Sequence, residues 1–597
     1  MFWLKLRLSR GCNDRRAVCT SKNKDTQNSY CFPMTVLCLM KLKGIAIIMK
    51  KSGAQIVVEQ LVSHDATIVF GYPGGAVLPL YDELYNNSDR ICHVLTAHEQ
   101  GAAHAADGYA RVSGKTGVVI ATSGPGATNL VTGIANAQLD SVPLVAITGN
   151  VSVPLLGRDS FQEVDIMGIT QPIVKHNYVV RDVALLEDTI NEAFHIANSG
   201  RRGAVLVDIP KCVQTALCEY KGKSPILEDK PECKYDIGMI ADVIKGCKRP
   251  YIYAGGGVIA GGAEAQLREL SKRISAPVGF SMMGLSALPH DYELNLGMTG
   301  MHGKYAATVL KSECDLIIAL GVRFSDRATG NVNEYREGKQ IIHIDIDFAE
   351  IGKNVASHME VCGDVKDVLT RLLPLLPEMR NDEWLLRVRE VKQSGKETFM
   401  TSGFNAPGII ETVKRFCGDD VIVATDVGQH QMWVTLHYKL EKPRTLLTSG
   451  GLGAMGYGLG AAIGGCIANK KQRTVLFTGD GSFGMNLIEL ATAVSQELPI
   501  VVIILNNGSL GLPRQWQGAF FGQRYSHSTL NRKTDFMAVA KAFGADGYLA
   551  RSLSELEMAL DHLPEDRPVV IDCRIDIDEK VFPMIPPGGS VKDIIIS

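Results

Sequence analysis

Gly479-Asp480-Gly481, then 24 residues, then Asn506-Asn507 is the strongest chemical signal in this sequence. Asp480 and the amide oxygen of Asn507 are hard oxygen ligands of the kind Mg²⁺ prefers, and Mg²⁺ held by few protein groups completes its octahedron with phosphate oxygens. The apolar run Thr474–Phe477 reads as a strand that delivers Gly479–Ser482 to a sheet's C-terminal edge, where open α/β sheets bind ligands. A helix is expected from near Met485, and the next strand, Ile500–Leu505, brings the two asparagines alongside. Asp-Gly alone is foremost a turn signal, so the weight lies in the pairing of the two segments, each at a strand end.

Three other segments carry chemistry. Glu99, in Ala97–Gly101, stands just ahead of a helical pattern, where a carboxylate serves either as a proton-transfer group or as a first-turn partner of the helix dipole. Thr122–Asn129 is a glycine-rich strand-to-helix turn that is open to either a structural or a ligand-binding reading. Gly255, Gly256 and Gly257, in a G-x-G-x-x-A segment ending at Ala260, form a dinucleotide-type turn. The acidic residue wanted some 20 positions further on is absent around Pro277–Ser281, which disfavours a nicotinamide cofactor.

These residues need sheets to position them. From residue 50 onward, short β-branched runs alternate with amphipathic stretches: Thr67–Phe70, Gly117–Ala121, Leu144–Ile147 and Ala204–Asp208, then Pro250–Ala254, Leu316–Ala319 and Ile341–Ile344, then Val421–Ala424, Thr474–Phe477 and Ile500–Leu505. Continuous apolar strands with helical crossovers imply parallel sheets covered on both faces. Polar breaks at Lys221–Glu232 and Pro377–Phe404 divide the rhythm. The expectation is an α/β protein of three doubly wound parallel-sheet domains over residues 49–220, 233–376 and 405–580, with a tail at 581–597.

From about Lys51 to about Val591 the sequence resembles the large catalytic subunits of the acetohydroxyacid (acetolactate) synthase family, the FAD-containing biosynthetic branch of the thiamine diphosphate (ThDP) enzymes. The resemblance implies pyrimidine-binding, central FAD-associated and diphosphate-binding domains. Gly75, in Gly71–Gly75, matches the active-site loop, and Glu99 matches the glutamate that exchanges a proton with the cofactor's aminopyrimidine. A glutamate in apolar surroundings, its pKa raised, suits that task near neutral pH. Gln162 and Lys175 match catalytic positions along the substrate channel, and Phe161, Leu512 and Trp516 match pocket walls. Gln429 and His430 match a diphosphate-holding loop, and Gly453 and Met455 the loop whose thioether wedges beneath the cofactor. Gly481 and Ser482 complete the ThDP set; Asp480, Asn507 and the Ser509 carbonyl are the implied metal ligands. The implied FAD residues are Gly255–Gly257, Met301, His302, Gly321, Arg323, Asp326, Asp345, Ile346, Asp364 and Val365.

The implied reaction is decarboxylation of pyruvate and transfer of its hydroxyethyl group to a second 2-ketoacid. Pyruvate as acceptor gives 2-acetolactate and 2-ketobutyrate gives 2-aceto-2-hydroxybutyrate, at the first common step of branched-chain amino-acid biosynthesis. ThDP, Mg²⁺ and a structural FAD are the implied cofactors. The implied assembly is a homodimer or homotetramer in which Glu99 of one chain meets Asp480 and Asn507 of another; relatives often add a small regulatory subunit. Two alternatives are another ThDP-dependent pyruvate enzyme (a pyruvate oxidase or other carboligase) and an inactive regulatory subunit. Gln429-His430, Arg323 and Arg514–Trp516 argue against the first, and intact Glu99, Asp480 and Asn507 against the second. The chain departs from the family at Leu512 and Pro513, where Met and Val are usual, and at Gly460, where Pro is usual.

Charge narrows the partners. The net charge is −2, but residues 1–48 hold nine Lys/Arg against Asp14 and Asp25, a net of +7 that leaves −9 for the remainder. An acidic body has no global pull toward nucleic acid or anionic membrane. The longest apolar run, Pro499–Leu505, is far short of the ~20 residues that span a bilayer. Cys12, Cys19, Cys31 and Cys38 crowd the basic head, and the other ten cysteines are scattered without a CxxC pair, as expected of reduced thiols in the cytoplasm. The head itself is expected to stand outside the fold, either as an upstream stretch before Met49 or as an organelle-import segment.

Overall fold

A computed structural model describes residues 49–226, 235–398 and 403–596, with side chains of 396–398 excepted. The expectations for residues 1–48, and for part of the first polar break, lie outside the described residues. Three six-stranded sheets, parallel throughout, organise the chain. The first runs Cys92–Leu95, Ile68–Tyr72, Gly117–Ala121, Leu144–Asn150, Ala204–Pro210, His176–Val179. The fully buried β-branched runs take the middle, and the polar Cys92–Leu95 and His176–Val179 take the edges, where one side of each strand is wet. The last sheet repeats the same order: Leu446–Leu447, Ile422–Thr425, Thr474–Gly479, Ile500–Asn506, Val569–Arg574, Asp546–Ala550.

The central sheet is wound differently: Asn295–Met298, Val278–Phe280, Pro250–Ala254, Leu316–Leu320, Gln340–Asp345, Met359–Cys362. This is the 3-2-1-4-5-6 order of dinucleotide-binding sheets, with the order reversing between Pro250–Ala254 and Leu316–Leu320. The second polar break is largely one helix, Asp382–Thr398. Trp384, Val388 and Val391 bury its inner face, and the Trp384 indole N–H donates to the Pro250 carbonyl at 3.0 Å. The tertiary partner outweighs the strongly polar composition of this segment.

The first and last domains meet through two helices, Glu99–Ser113 and Tyr457–Ala468. Their backbones nearly touch: a Cβ on Gly464 would stand 1.8 Å from the Ala105 carbonyl oxygen, and one on Gly108 would stand 2.2 Å from that of Ala461. Gly460, one of the departures from the family pattern, lies in the same seam, with only 2.8 Å from its absent Cβ to the Cβ of His104. A buried polar cluster crosses the seam. Arg111 pairs with Asp107 at 2.6 Å and Asp140 at 2.9 Å, the Tyr457 hydroxyl donates to Asp107, and Asp140 accepts the backbone N–H groups of Gly450 and Gly451.

Candidate active site and cofactor clefts

The Asp480–Asn486 helix begins at Asp480, five residues before the expected start, because Gly479 ends the strand and serves as its N-cap. A second helix, Gln429–His437, begins at Gly428, whose φ of 153° favours glycine. Neither helix has a capping side chain, and both N-termini face one cavity of about 80 Å³. Unsatisfied helix N–H groups converging in this way make an anion site. The cavity is lined by Gln429, His430, Met455, Gly481, Ser482, Asn507, Ser509 and Leu512, among others, all from the C-terminal domain.

The oxygens beside this anion site are poised for a cation. Asp480 is buried, its Oδ1 has no hydrogen-bond partner among the described residues, and burial together with the nearby Asp572 pushes its carboxyl up to about 6. Asn507 donates from Nδ2 to Gln429 Oε1 at 3.0 Å, which turns its Oδ1 toward the Ser509 N–H and the cavity. Asn506, by contrast, is structural and donates to Asp572 within the sheet. His430 is pushed down to about 3 by burial, so it is neutral, and its Nε2 has no partner among the described residues. An orphaned carboxylate oxygen beside free helix N–H groups fits a divalent cation carrying a diphosphate.

Two sequence-predicted side chains are occupied with protein partners instead. Gln429 Nε2 donates to Gln515 and to the Glu579 carbonyl, so its amide braces the cavity wall, and the Ser482 hydroxyl donates to the Val427 carbonyl. Gly453 adopts a left-handed φ of 69° in the turn before Met455, outside the cavity lining.

Glu99 is the first residue of its helix. Its Oε2 accepts from Asn129 Nδ2 at 2.9 Å, while Oε1 makes no hydrogen bond to the described residues. Asn129 was not singled out, although it ends the Thr122–Asn129 turn whose role the sequence left open. The Gly71–Gly75 loop is pinned nearby by Thr122, whose hydroxyl accepts the Ala76 N–H, and Gly75 itself faces open space. Phe161 is 87% exposed on a loop that Glu163 holds through the N–H groups of Gly157, Arg158 and Ser160; Gln162 follows it at φ 59°. Lys175 donates to the carbonyls of Ile196 and Ser199 at the end of helix Leu186–Asn198. Trp516 lies on helix Gly511–Phe520, with the Arg327 guanidinium 5.6 Å from its ring centroid. Leu512 and Pro513 occupy the first turn of that helix, where proline costs no hydrogen bond.

The central sheet builds a second cleft of about 370 Å³ at its C-terminal edge. Gly256, Gly257, Gly321, Arg323, Asp345, Ile346, Asp364 and Val365 all line it. Gly257 and Gly321 are in close contact: a Cβ on either would stand within 2.6 Å of the other's Cα. Asp345 ends its strand, and burial pushes it up to about 6. Arg201, from the first domain, also lines the cleft and pairs with Glu350 at 2.7 Å; no local motif marks it. Glycines at the switch point, an arginine and strand-end carboxyls fit a dinucleotide. Gly255 lies just behind, its N–H on the Leu320 carbonyl. Met301 and Asp326 line a different cavity of about 330 Å³ against Ile585–Lys592, and His302 is buried, with its Nδ1 unpartnered.

Comparison with known proteins agrees with this architecture. Residues 51–169 match the profile of the thiamine pyrophosphate enzyme N-terminal TPP binding domain, 237–372 the central domain and 426–573 the C-terminal TPP binding domain. The acetolactate synthase large subunit of Cyanidium caldarium is 43% identical over 562 residues, covering 90% of this chain and 96% of that protein. The isozyme 1 large subunit of Escherichia coli is 42% identical, covering 91% and 97% respectively. The probable large subunit of Methanocaldococcus jannaschii is 42% identical, covering 91% and 95%. Matches to all three domain profiles and identity of 42–43% over about nine-tenths of the chain place this chain in the acetolactate synthase large-subunit family of thiamine diphosphate enzymes.

Proposed function

We propose that this chain decarboxylates pyruvate and joins the remaining two-carbon unit to a second 2-ketoacid, pyruvate or 2-ketobutyrate. The observation that carries this reading is the unpartnered Asp480 Oδ1 between two uncapped helix N-termini, with a glutamate held by Asn129 in the other ThDP-binding domain. Asp480, Asn507 and the Ser509 carbonyl would hold Mg²⁺, and the N–H groups opening the two helices would hold the diphosphate. Bound thiamine diphosphate supplies the electron sink that carboxylate loss from a 2-ketoacid requires.

The protein's part is positioning and proton transfer. Glu99 takes and returns a proton at Oε1, because Oε2 is fixed by Asn129. Met455 forms an apolar wall of the cavity, and a thioether adapts to an irregular surface. Leu512 and Trp516 bound the acceptor's space; an apolar wall of this kind separates acceptors differing by one methylene by ~1–3 kcal/mol. Lys175 supports the first domain through its two carbonyl partners. FAD would be held in the central cleft, where Asp345 and Asp364 could accept from hydroxyls and Arg323 could meet a diphosphate, and no redox step is required of it.

The chain is proposed to work as at least a dimer. No residue of the first domain lines the diphosphate cavity. Large apolar side chains are left exposed around both half-sites: Tyr72 and Phe161 in the first domain, Met485 and Ile488 in the last. A second copy that brings its Glu99 to this cavity would cover them. Among the described residues no helix is long and apolar enough to cross a membrane.

The test is turnover of purified protein with pyruvate, ThDP, Mg²⁺ and FAD. Formation of 2-acetolactate, read as acetoin after acid treatment, is expected, with a mixed product when 2-ketobutyrate is added. Oxygen uptake with acetyl phosphate as product would overturn the assignment.

A further inference from the structure

Glu489 is completely buried, yet no cation pairs with it among the described residues. Its carboxylate belongs to the C-terminal domain but is directed at the first domain. Oε2 accepts the Ala97 N–H at 3.2 Å and Oε1 accepts the His98 N–H at 3.0 Å. The Thr492 hydroxyl, from the same domain as Glu489, also donates to Oε2, at 2.6 Å. The fit is tight: a Cβ on Gly101 would stand 2.0 Å from Oε1. Ala97 and His98 are the two residues directly ahead of Glu99. His98 is extended (φ −153°, ψ 146°) and caps the helix with its own Nδ1 on the Gln100 N–H.

We propose that Glu489 is a positioning residue for the reaction, setting the placement of Glu99 across the domain seam through these two peptide groups. The inference rests on the proton-transfer reading of Glu99. The chain passes from strand Cys92–Leu95 to helix Glu99–Ser113 within three residues, so the N–H groups of 97 and 98 fall in neither element. A buried N–H without an acceptor costs ~1–3 kcal/mol, and among the described residues Glu489 supplies the acceptors of both. With both oxygens engaged on consecutive peptides, the loop loses two degrees of freedom just ahead of Glu99. A displacement of ~1 Å at a group that must meet its proton partner lowers turnover by about 100-fold. The segment that carries Glu489 begins at Asp480 and runs without a break through Asp480–Asn486 and Leu487–Glu489, so one rigid piece holds both the implied metal ligand and the anchor of the glutamate loop.

The experiment compares Glu489→Gln, Glu489→Asp and Thr492→Val in the full chain. Glu489→Gln sets an amide NH₂ against a peptide N–H. Its kcat should fall at least about tenfold while the KM for pyruvate and the half-saturating Mg²⁺ stay within about threefold. Glu489→Asp keeps the charge, shortens the reach and should give a smaller loss in kcat alone. Thr492→Val removes one bond to the same carboxylate without touching the loop, and should keep kcat within about twofold. A purely structural role would move all three in step with thermal stability and would overturn the proposal. The second readout needs no cofactor: in the ligand-free chain, amide hydrogen exchange of the peptide spanning residues 96–100 should quicken at least about tenfold in Glu489→Gln, with helix Tyr457–Ala468 unchanged. Unchanged exchange there, or wild-type kcat, refutes the positioning role. Glu99→Gln run alongside separates the two readings, because wild-type turnover in that variant would refute the role of Glu99 itself, whatever exchange at residues 97 and 98 shows.

Discussion

Asp480 and Asp208 are both buried carboxyls pushed up to about 6, and their surroundings give them different roles. Asp208 is satisfied: Thr148 donates to it at 2.7 Å and Asn150 at 2.6 Å, at the ends of neighbouring strands. Asp480 keeps an oxygen without a partner among the described residues, beside the cavity that its neighbours Gly479 and Gly481 line. Asp480→Asn should therefore raise the Mg²⁺ needed for half-maximal binding at least about tenfold, read by fluorescence of Trp433 in the same cavity wall, with little change in unfolding. Asp208 should report through stability. Its folded value lies above the ordinary 3.8, so between pH ~4 and ~6 the native chain holds a proton that the unfolded chain has lost. Its contribution therefore falls as pH rises through that window and is flat above it. Relative to Asp208→Asn, the wild-type chain should lose about 2–3 kcal/mol over that interval, measured by denaturant unfolding at each pH. Asp480, Asn507 and Glu99 stand out in the sequence only in combination, since Asp-Gly alone is a turn signal and a carboxylate before a helix can simply partner its dipole. The sequence could not disclose Glu489, whose partners stand 391 and 392 positions away. Nor could it show that the Gln429 amide is occupied by Asn507, Gln515 and Glu579, since those bonds exist only once four segments meet.

Helices Glu99–Ser113 and Tyr457–Ala468 show how element packing supports the chemistry. Both are rich in alanine and glycine, and their close approach draws the Glu99 loop and the Gly450–Met455 loop into one seam. Each loop is then fastened by a carboxylate of the other domain, Glu489 for the first and Asp140 for the second. Gly464→Ala should push the helices apart, because its methyl would stand 1.8 Å from the Ala105 carbonyl oxygen. A loss of about 1–3 kcal/mol in unfolding free energy is expected, with a fall in kcat that Gly246→Ala, where nothing lies within 4 Å, does not show. Most interior strands were legible as unbroken apolar runs; Val278–Phe280, only three residues long, and Val569–Arg574, interrupted by Asp572, were not among them. The edge strands Cys92–Leu95, His176–Val179 and Leu446–Leu447 were not, being short and half-wet, so their residues carry no strong period. The early start of helix Asp480–Asn486 escaped for a related reason: Asp-Gly-Ser favours turns locally, and only the cavity gives its free N–H groups a use.

At the scale of the whole molecule, the first and last sheets share one strand order, and each would present half of the proposed site at its C-terminal edge. The domain seam within one chain joins the backs of these half-sites through paired helices and the Asp107–Arg111–Asp140 cluster, leaving exposed apolar residues on the fronts. In the proposed dimer, two copies related by a two-fold axis would close both fronts at once, each lending Glu99 to the other's Asp480 and Asn507. Mixed chains separate this arrangement from one confined to a single chain. Glu99→Gln and Asp480→Asn are each expected to abolish most turnover alone. In a heterodimer of the two, one site joins intact Glu99 to intact Asp480 and the other joins both defects. Random reassortment makes about half of the dimers mixed, each with one working site of two, so activity should return to about a quarter of the wild-type value. The recovery should require conditions that let subunits exchange and should vanish when the two variants are first cross-linked as homodimers. If each chain instead built its own site, every site in the mixture would carry one defect and mixing would restore nothing.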